Sequence, residues 1–289
     1  MSEATLPQAP TRPQGRWVLW EEARKISAFI RRDFLVAWSY RMAFFTDWAN
    51  LGIQVALFYF VGKIVDPESL PSFGGSRVSY IEFVAVGIAL AAFMQIALNR
   101  LISAMRNEQL MGTLEALLMT PISLATLQLG SVMYDLIYVP VRTFIFLALV
   151  ALLLDASFAL GGVVAAIVVL LAFIPAVWGL GMISSAAVLA FRRGVGVTGF
   201  VVLLLTITSS TYFPLEVLPG WVQSLAAVNP ITIALEATRE ALLGHAGVLD
   251  VLPEALLLLP IAAVTLSIGI LSFRLALKRE RRKGTLGLY

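Results

Sequence analysis

Cysteine is absent from the 289 residues, and histidine occurs once, at His245. The first absence excludes disulfides, thiolate metal sites and a thiol nucleophile. The single imidazole rules out most histidine-based metal or triad constellations, and no clustered carboxylate constellation takes their place. Charge is scarce as well: Asp, Glu, Lys and Arg make up 13% of the chain, about half of the ~25% usual in soluble domains. No G-x-x-x-x-G-K-[ST] phosphate loop occurs, so ATP hydrolysis, if the protein uses it, belongs to another polypeptide. The chain is therefore read as non-catalytic, holding no metal and no cofactor. The first forty residues carry Pro7, Pro10 and Pro13 among scattered charges, with no apolar run before a small-residue cleavage site. No cleavable signal peptide is expected, and the first apolar segment should remain as an anchor.

What the chain does have is apolar length: 59% of residues are hydrophobic and mean hydropathy is +0.88. The fold class this implies is an all-α integral membrane protein. A span needs ~20 apolar residues to cross ~30 Å of hydrocarbon, and six fit, near 42–65, 79–100, 123–154, 158–190, 195–213 and 251–276. Pro140 and Pro175 fall inside the third and fourth, where neighbouring helices tolerate them. The turn between those two is short, around Asp155 to Ser157, which predicts an antiparallel hairpin. Residues 1–15 read as a flexible tail and 277–289 as a basic one. Residues 16–41 place Trp17, Trp20, Ile26, Phe29, Ile30 and Phe34 at helical spacing between Arg24, Lys25, Arg31 and Arg32. That pattern suits an amphipathic helix in the headgroup layer, or a helix packed on a soluble partner.

Net charge is +3 and the pI is near 9.3, and the distribution of charge speaks to orientation rather than to nucleic acid. Seventeen of the 21 Lys and Arg residues fall before the first span, in two alternate loops, or after the last span. Only Lys63, Arg77 and Arg239 fall on the other side, with Arg142 inside a span. Both termini are thus expected in the cytoplasm. Residues 214–250 are too polar to cross and too apolar for an ordinary loop. Two pieces, 216–228 and 231–244, flank Asn229-Pro230; Asn caps a helix and Pro loses no hydrogen bond at its first position. Gly244 offers a stop. The segment reads as a re-entrant pair, with an external helical hairpin as the alternative.

After the second span, Leu110, Leu114, Leu117 and Leu118 form one apolar stripe, with Arg106, Gln109, Thr113 and Glu115 around it. A short cytoplasmic helix, about 102–119, at the base of span three is expected, placed as a lever for a soluble partner. Gly112 inside it costs ~1 kcal/mol against alanine unless something packs closely there. The run Glu108-x-x-x-Gly112-Thr113-Leu114-Glu115-x-Leu117-x-x-Thr120-Pro121 resembles the signature of the ABC-2 type transporter membrane subunits. Phe213-Pro214, Leu218-Pro219-x-Trp221, Asn229-Pro230-x-Thr232 and Glu236-x-x-Arg239 resemble that family's external segment. The resemblance covers nearly the whole chain.

It implies the permease subunit of an ATP-driven exporter in a prokaryotic inner (plasma) membrane. Two copies, as a homodimer, would form the pathway, and two ABC ATPase subunits carrying ATP and Mg would dock below. Arg106, Glu108, Gly112, Thr113, Leu114, Glu115, Thr120 and Pro121 would then make the coupling contact. Trp221, Asn229, Pro230, Glu236 and Arg239 would lie at an external gate. The implied cargo is amphipathic, drug-like or lipid, with a lipid-linked polysaccharide as runner-up. Membrane lipids are partners and nucleic acid is not.

Within the spans, Asp47, Glu82, Asp135 and Arg142 are costly and so are functional candidates. Asp47 and Glu82 lie near span ends. Tyr134, Asp135, Tyr138 and Arg142 line one stripe of span three. They read as a pathway wall or a switchable ion pair, or as a static pair with another helix. His245 reads as a loop residue. A proton-coupled secondary transporter is the rival reading; it calls for a titratable relay and usually for internal repeats, and the two halves show no obvious repeat.

Overall fold

The computed structural model describes residues 16–65, 70–110, 124–191 and 194–283. Among them are nine α-helices: α1 Arg16–Ser39, α2 Arg41–Gly62, α3 Tyr80–Leu110, α4 Leu124–Leu154, α5 Val163–Phe191, α6 Gly194–Ile207, α7 Gly220–Ala226, α8 Pro230–Leu242 and α9 Leu252–Lys283. A small antiparallel hairpin, β1 Ser72–Phe73 and β2 Ser76–Arg77, precedes α3. Its two central residues, Gly74 and Gly75, both have positive φ, as a two-residue hairpin turn requires.

Three described stretches are long and apolar enough to cross a membrane: Met133–Leu154, Leu160–Leu189 and Leu252–Arg279. The apolar runs Trp48–Gly62 and Tyr80–Gln95 are shorter; Asp47 precedes the first, and Asn99 and Arg100 follow the second. Helix α6 has 14 residues, ~21 Å at 1.5 Å per residue. It ends at Ile207, where sequence pattern alone carries a span on to 213. Helix α3 differs in the opposite sense, running unbroken for 31 residues. Residues 102–110, expected to open a separate cytoplasmic helix, therefore continue α3.

The core is built around α3. Phe83, Val84, Ala85, Phe93 and Met94 are all buried, because α3 is apolar on several faces and takes neighbours on more than one. Helices α4 and α5 each pack along α3 rather than along each other. The antiparallel hairpin expected from their short connection is not the arrangement found. The connection only has to reach across α3, and apolar burial on α3 outweighs direct pairing.

The most extensive contact joins α5 to α9. A Cβ on Gly179 would strike the backbone of Thr265 and Leu266, and one on Gly269 would meet the Gly179 carbonyl. The two backbones therefore approach as small residues allow between membrane helices. The Thr265 hydroxyl donates to the Ala176 carbonyl at 3.3 Å across this crossing.

Helix α1 is held to the bundle as well as being amphipathic. Phe29 sits over Gly130 of α4 and joins a second core of Met182, Leu189, Phe273 and Leu277. Asp33 is buried, and its carboxylate accepts from the Arg32 Nε at 2.9 Å. Phe34, Leu35, Val36 and Trp38 are each at least half exposed.

Glu82 acts as a strap. Its Oε2 accepts from the Ser79 amide at 2.8 Å, and the Glu82 amide donates to the Ser79 hydroxyl at 3.3 Å, a reciprocal cap on α3. Its Oε1 accepts from the amide and hydroxyl of Ser157, at 2.7 and 2.8 Å, in the α4–α5 connection. The buried charge is thereby satisfied, and its role is structural. Glu82→Ala should lower stability by about 2 kcal/mol, read as an earlier thermal transition in detergent. An unchanged transition would show that the strap is redundant.

Candidate functional site

Two groups of polar side chains lie within the bundle. The first is the α4 stripe. Tyr134 and Tyr138 stack with centroids 5.6 Å apart and planes 7° from parallel. Phe34 of α1 meets Tyr134 edge-on at 6.5 Å and stacks with Trp38 at 6.2 Å. Four rings thus run from α1 onto α4. Arg142 is buried, its guanidinium carbon 5.9 Å from the Trp48 ring centroid, and it lines a narrow cleft with Leu51, Ala89 and Phe146. Asp135 is half-buried on the same helix.

The second group surrounds α8. Asn229 caps this helix as its sequence suggests: its Oδ1 accepts from the Ile231 amide at 3.0 Å, and Pro230 follows at the first helical position. Almost all of α8 is buried, from Pro230 to Leu242, so it is neither a solvent-facing hairpin nor a surface loop. It packs on α3, α5 and α9. Its end differs from expectation in one respect. The positive φ falls on His245 and not on Gly244. Gly244 is needed for space, since a Cβ there would collide with Glu240 and with the Gly74 turn.

Arg239 occupies the centre of this group and is 0% exposed. Its Nη2 donates to the carbonyls of Phe83, Ser210 and Thr211, at 3.1, 3.1 and 3.3 Å. Its Nε donates to Phe83 at 3.3 Å, and its Nη1 to the Ser210 hydroxyl at 2.9 Å and to Glu236 at 3.2 Å. The guanidinium carbon lies 3.5 Å from the Phe83 ring centroid. Glu236 also accepts from the Ser210 hydroxyl at 2.6 Å. Glu236 is a local i, i+3 partner, but most partners of Arg239 come from α3 and from the turn after α6. Gly87 makes room for that turn, since a Cβ there would strike the Thr211 carbonyl.

The chemistry follows from the break in α6. A helix end leaves carbonyls without intrahelical donors, and in an apolar surround each needs another partner. The Asn229 amide donates to the Leu205 carbonyl at 2.9 Å, and the Thr232 hydroxyl to the Thr208 carbonyl at 3.2 Å. Arg239 supplies Ser210 and Thr211. Ser209, Ser210 and Thr211 are buried, and Ser210 has φ 55°, unusual for a residue with a side chain.

Of the other sequence-selected residues, Trp221 stands exposed on α7, apart from this cluster. Arg106 and Glu108 lie near the end of α3. Gly112, Thr113, Leu114, Glu115, Thr120 and Pro121 lie outside the described residues. Sequence reading passed over Ser210, Thr211 and the Phe83 carbonyl. The polar run Thr208-Ser209-Ser210-Thr211 after an apolar stretch was the available signal for a break in a span.

Residues 24–243 match the family model described as ABC-2 type transporter. No curated protein matches the chain.

Proposed function

This chain is a member of the ABC-2 type transporter family, and on that premise we propose that it forms the translocation pathway of an ATP-driven exporter. The family places it as a membrane permease component without catalysis of its own. In the proposed assembly, two copies form a homodimer and two separate ATPase subunits bind ATP and Mg below it. Six helices cross the inner membrane of a prokaryote, with both termini cytoplasmic and the α8 cluster at the outer end. The cargo is an amphipathic molecule, drug-like or lipid.

The observation that carries this reading is the family match, which spans both the Glu108–Pro121 motif and the α8 segment. Helix α3 supports it, because one continuous rod joins the start of the coupling segment to Phe83. Glu108, Gly112, Thr113 and Glu115 would carry the contact to the ATPase, with Arg106, Leu114, Thr120 and Pro121 shaping it. Helix α1 is anchored through Phe29 and so is placed to share the load.

Extraction in mild detergent should bring down a stoichiometric ATPase with this chain. Reversing Glu108 and Glu115 to arginine should cut its recovery at least tenfold while the permease stays monodisperse. Transport without an ATPase, abolished by Asp135→Asn and driven by a proton gradient, would replace this reading with a secondary transporter.

A lipid-linked polysaccharide is the second reading, favoured by the run of rings Trp38, Phe34, Tyr134 and Tyr138. Aromatic faces suit successive sugars. Tyr134→Ala with Tyr138→Ala would then stop glycan export, whereas amphiphile export would survive.

A further inference from the structure

We infer that Arg239 is a positioning residue that pins the turn at 208–211, where α6 ends, to helix α8. The pin is read from geometry and stands apart from the exporter reading above.

Among the described residues of α6, Val202 is buried in the main core, while Phe200, Leu203, Leu204 and Ile207 are exposed. The far end of α6 is gripped by hydrogen bonds to Leu205, Thr208, Ser210 and Thr211, given by Asn229, Thr232 and Arg239. Helix α8, which provides those donors, is itself fixed. Its Leu242 carbonyl accepts from the Ala159 amide at 2.7 Å, its Gly244 end abuts the Gly74 turn, and α3, α5 and α9 surround it.

The guanidinium is suited to the task. It is planar, with several donors at fixed angles, and reaches three carbonyls and a hydroxyl at once. A lysine would present its charge from a single point. The guanidinium also braces both the hydroxyl and the carbonyl of Ser210 in its left-handed conformation.

The absence of cysteine allows single-cysteine reporters without a background. Thr211→Cys and Val169→Cys, at positions 1% and 0% exposed, are each placed in lipid nanodiscs and treated with a water-soluble maleimide. Neither should react in the otherwise native chain. With Arg239→Lys added, Thr211→Cys should react at least tenfold faster while Val169→Cys stays inert. If Arg239→Lys yields no monodisperse protein, Ser210→Ala takes its place with the same expected split. Unchanged protection of Thr211→Cys would overturn the inference. So would exposure of both reporters together, which would make Arg239 a staple of the whole fold. The assay requires neither ATPase nor cargo, so its result stands apart from that of the co-purification.

Discussion

Gly179→Val is expected to separate α5 from α9 and to leave little monodisperse protein. The new side chain would enter the backbone of Thr265 and Leu266, and backbone cannot turn aside as a flexible side chain can. Relief requires moving α9 bodily, which would also break the fit of Gly269 against the Gly179 carbonyl and the Thr265 hydrogen bond. Overpacking of this kind costs ~3 kcal/mol or more when the neighbours cannot shift, and close approach is what holds membrane helices together. Gly199→Ala provides the contrast. Among the described residues nothing lies within 4 Å of a Cβ there, so the added methyl should be neutral or gain ~0.5–1 kcal/mol through helix propensity. Gel filtration and thermal melting of the two variants check the pair. A normal melting profile for Gly179→Val would mean that the α5–α9 contact is looser than the structure describes.

Arg239→Met should be almost as damaging, for an electrostatic reason. Replacing a buried ion pair with apolar groups is often harmless when both charges leave. Here the principal acceptors are main-chain carbonyls of Phe83, Ser210 and Thr211, which no substitution at position 239 can remove. Methionine fills the volume but leaves those carbonyls without this donor, at a cost of ~1–3 kcal/mol for each one left unsatisfied. Glu236→Gln should cost less than ~1 kcal/mol. Glu236 is 38% exposed, and the amide oxygen can still accept from Ser210. Thermal melting should therefore rank native and Glu236→Gln close together, with Arg239→Met far below. Equal losses for the two variants would mean that the Glu236 charge, and not the carbonyls, is what Arg239 serves.

The legible parts of this molecule are those whose signal is confined to one stretch of chain. Asn229-Pro230 was readable as a helix start because the cap and its amide lie two residues apart. The Ser79-x-x-Glu82 cap is equally local, and the spacing alone would have revealed it. The α4 stripe of Tyr134, Tyr138 and Arg142 followed from helical periodicity, and the ring stacking agrees with it. Helix ends were less accessible. Apolar composition continues past Ile207, and only the demand of Ser210 and Thr211 for outside donors marks where α6 stops.

By itself the sequence determined the membrane class, the family and the start of α8, since hydropathy, motif and capping are all properties of neighbouring residues. Only the tertiary structure decided that α3 separates α4 from α5, that Gly179 meets Gly269, and that Arg239 serves Phe83 across 156 positions of chain. Those outcomes depend on which surfaces fit at van der Waals distance and which carbonyls are left without water, and neither is specified by any one segment.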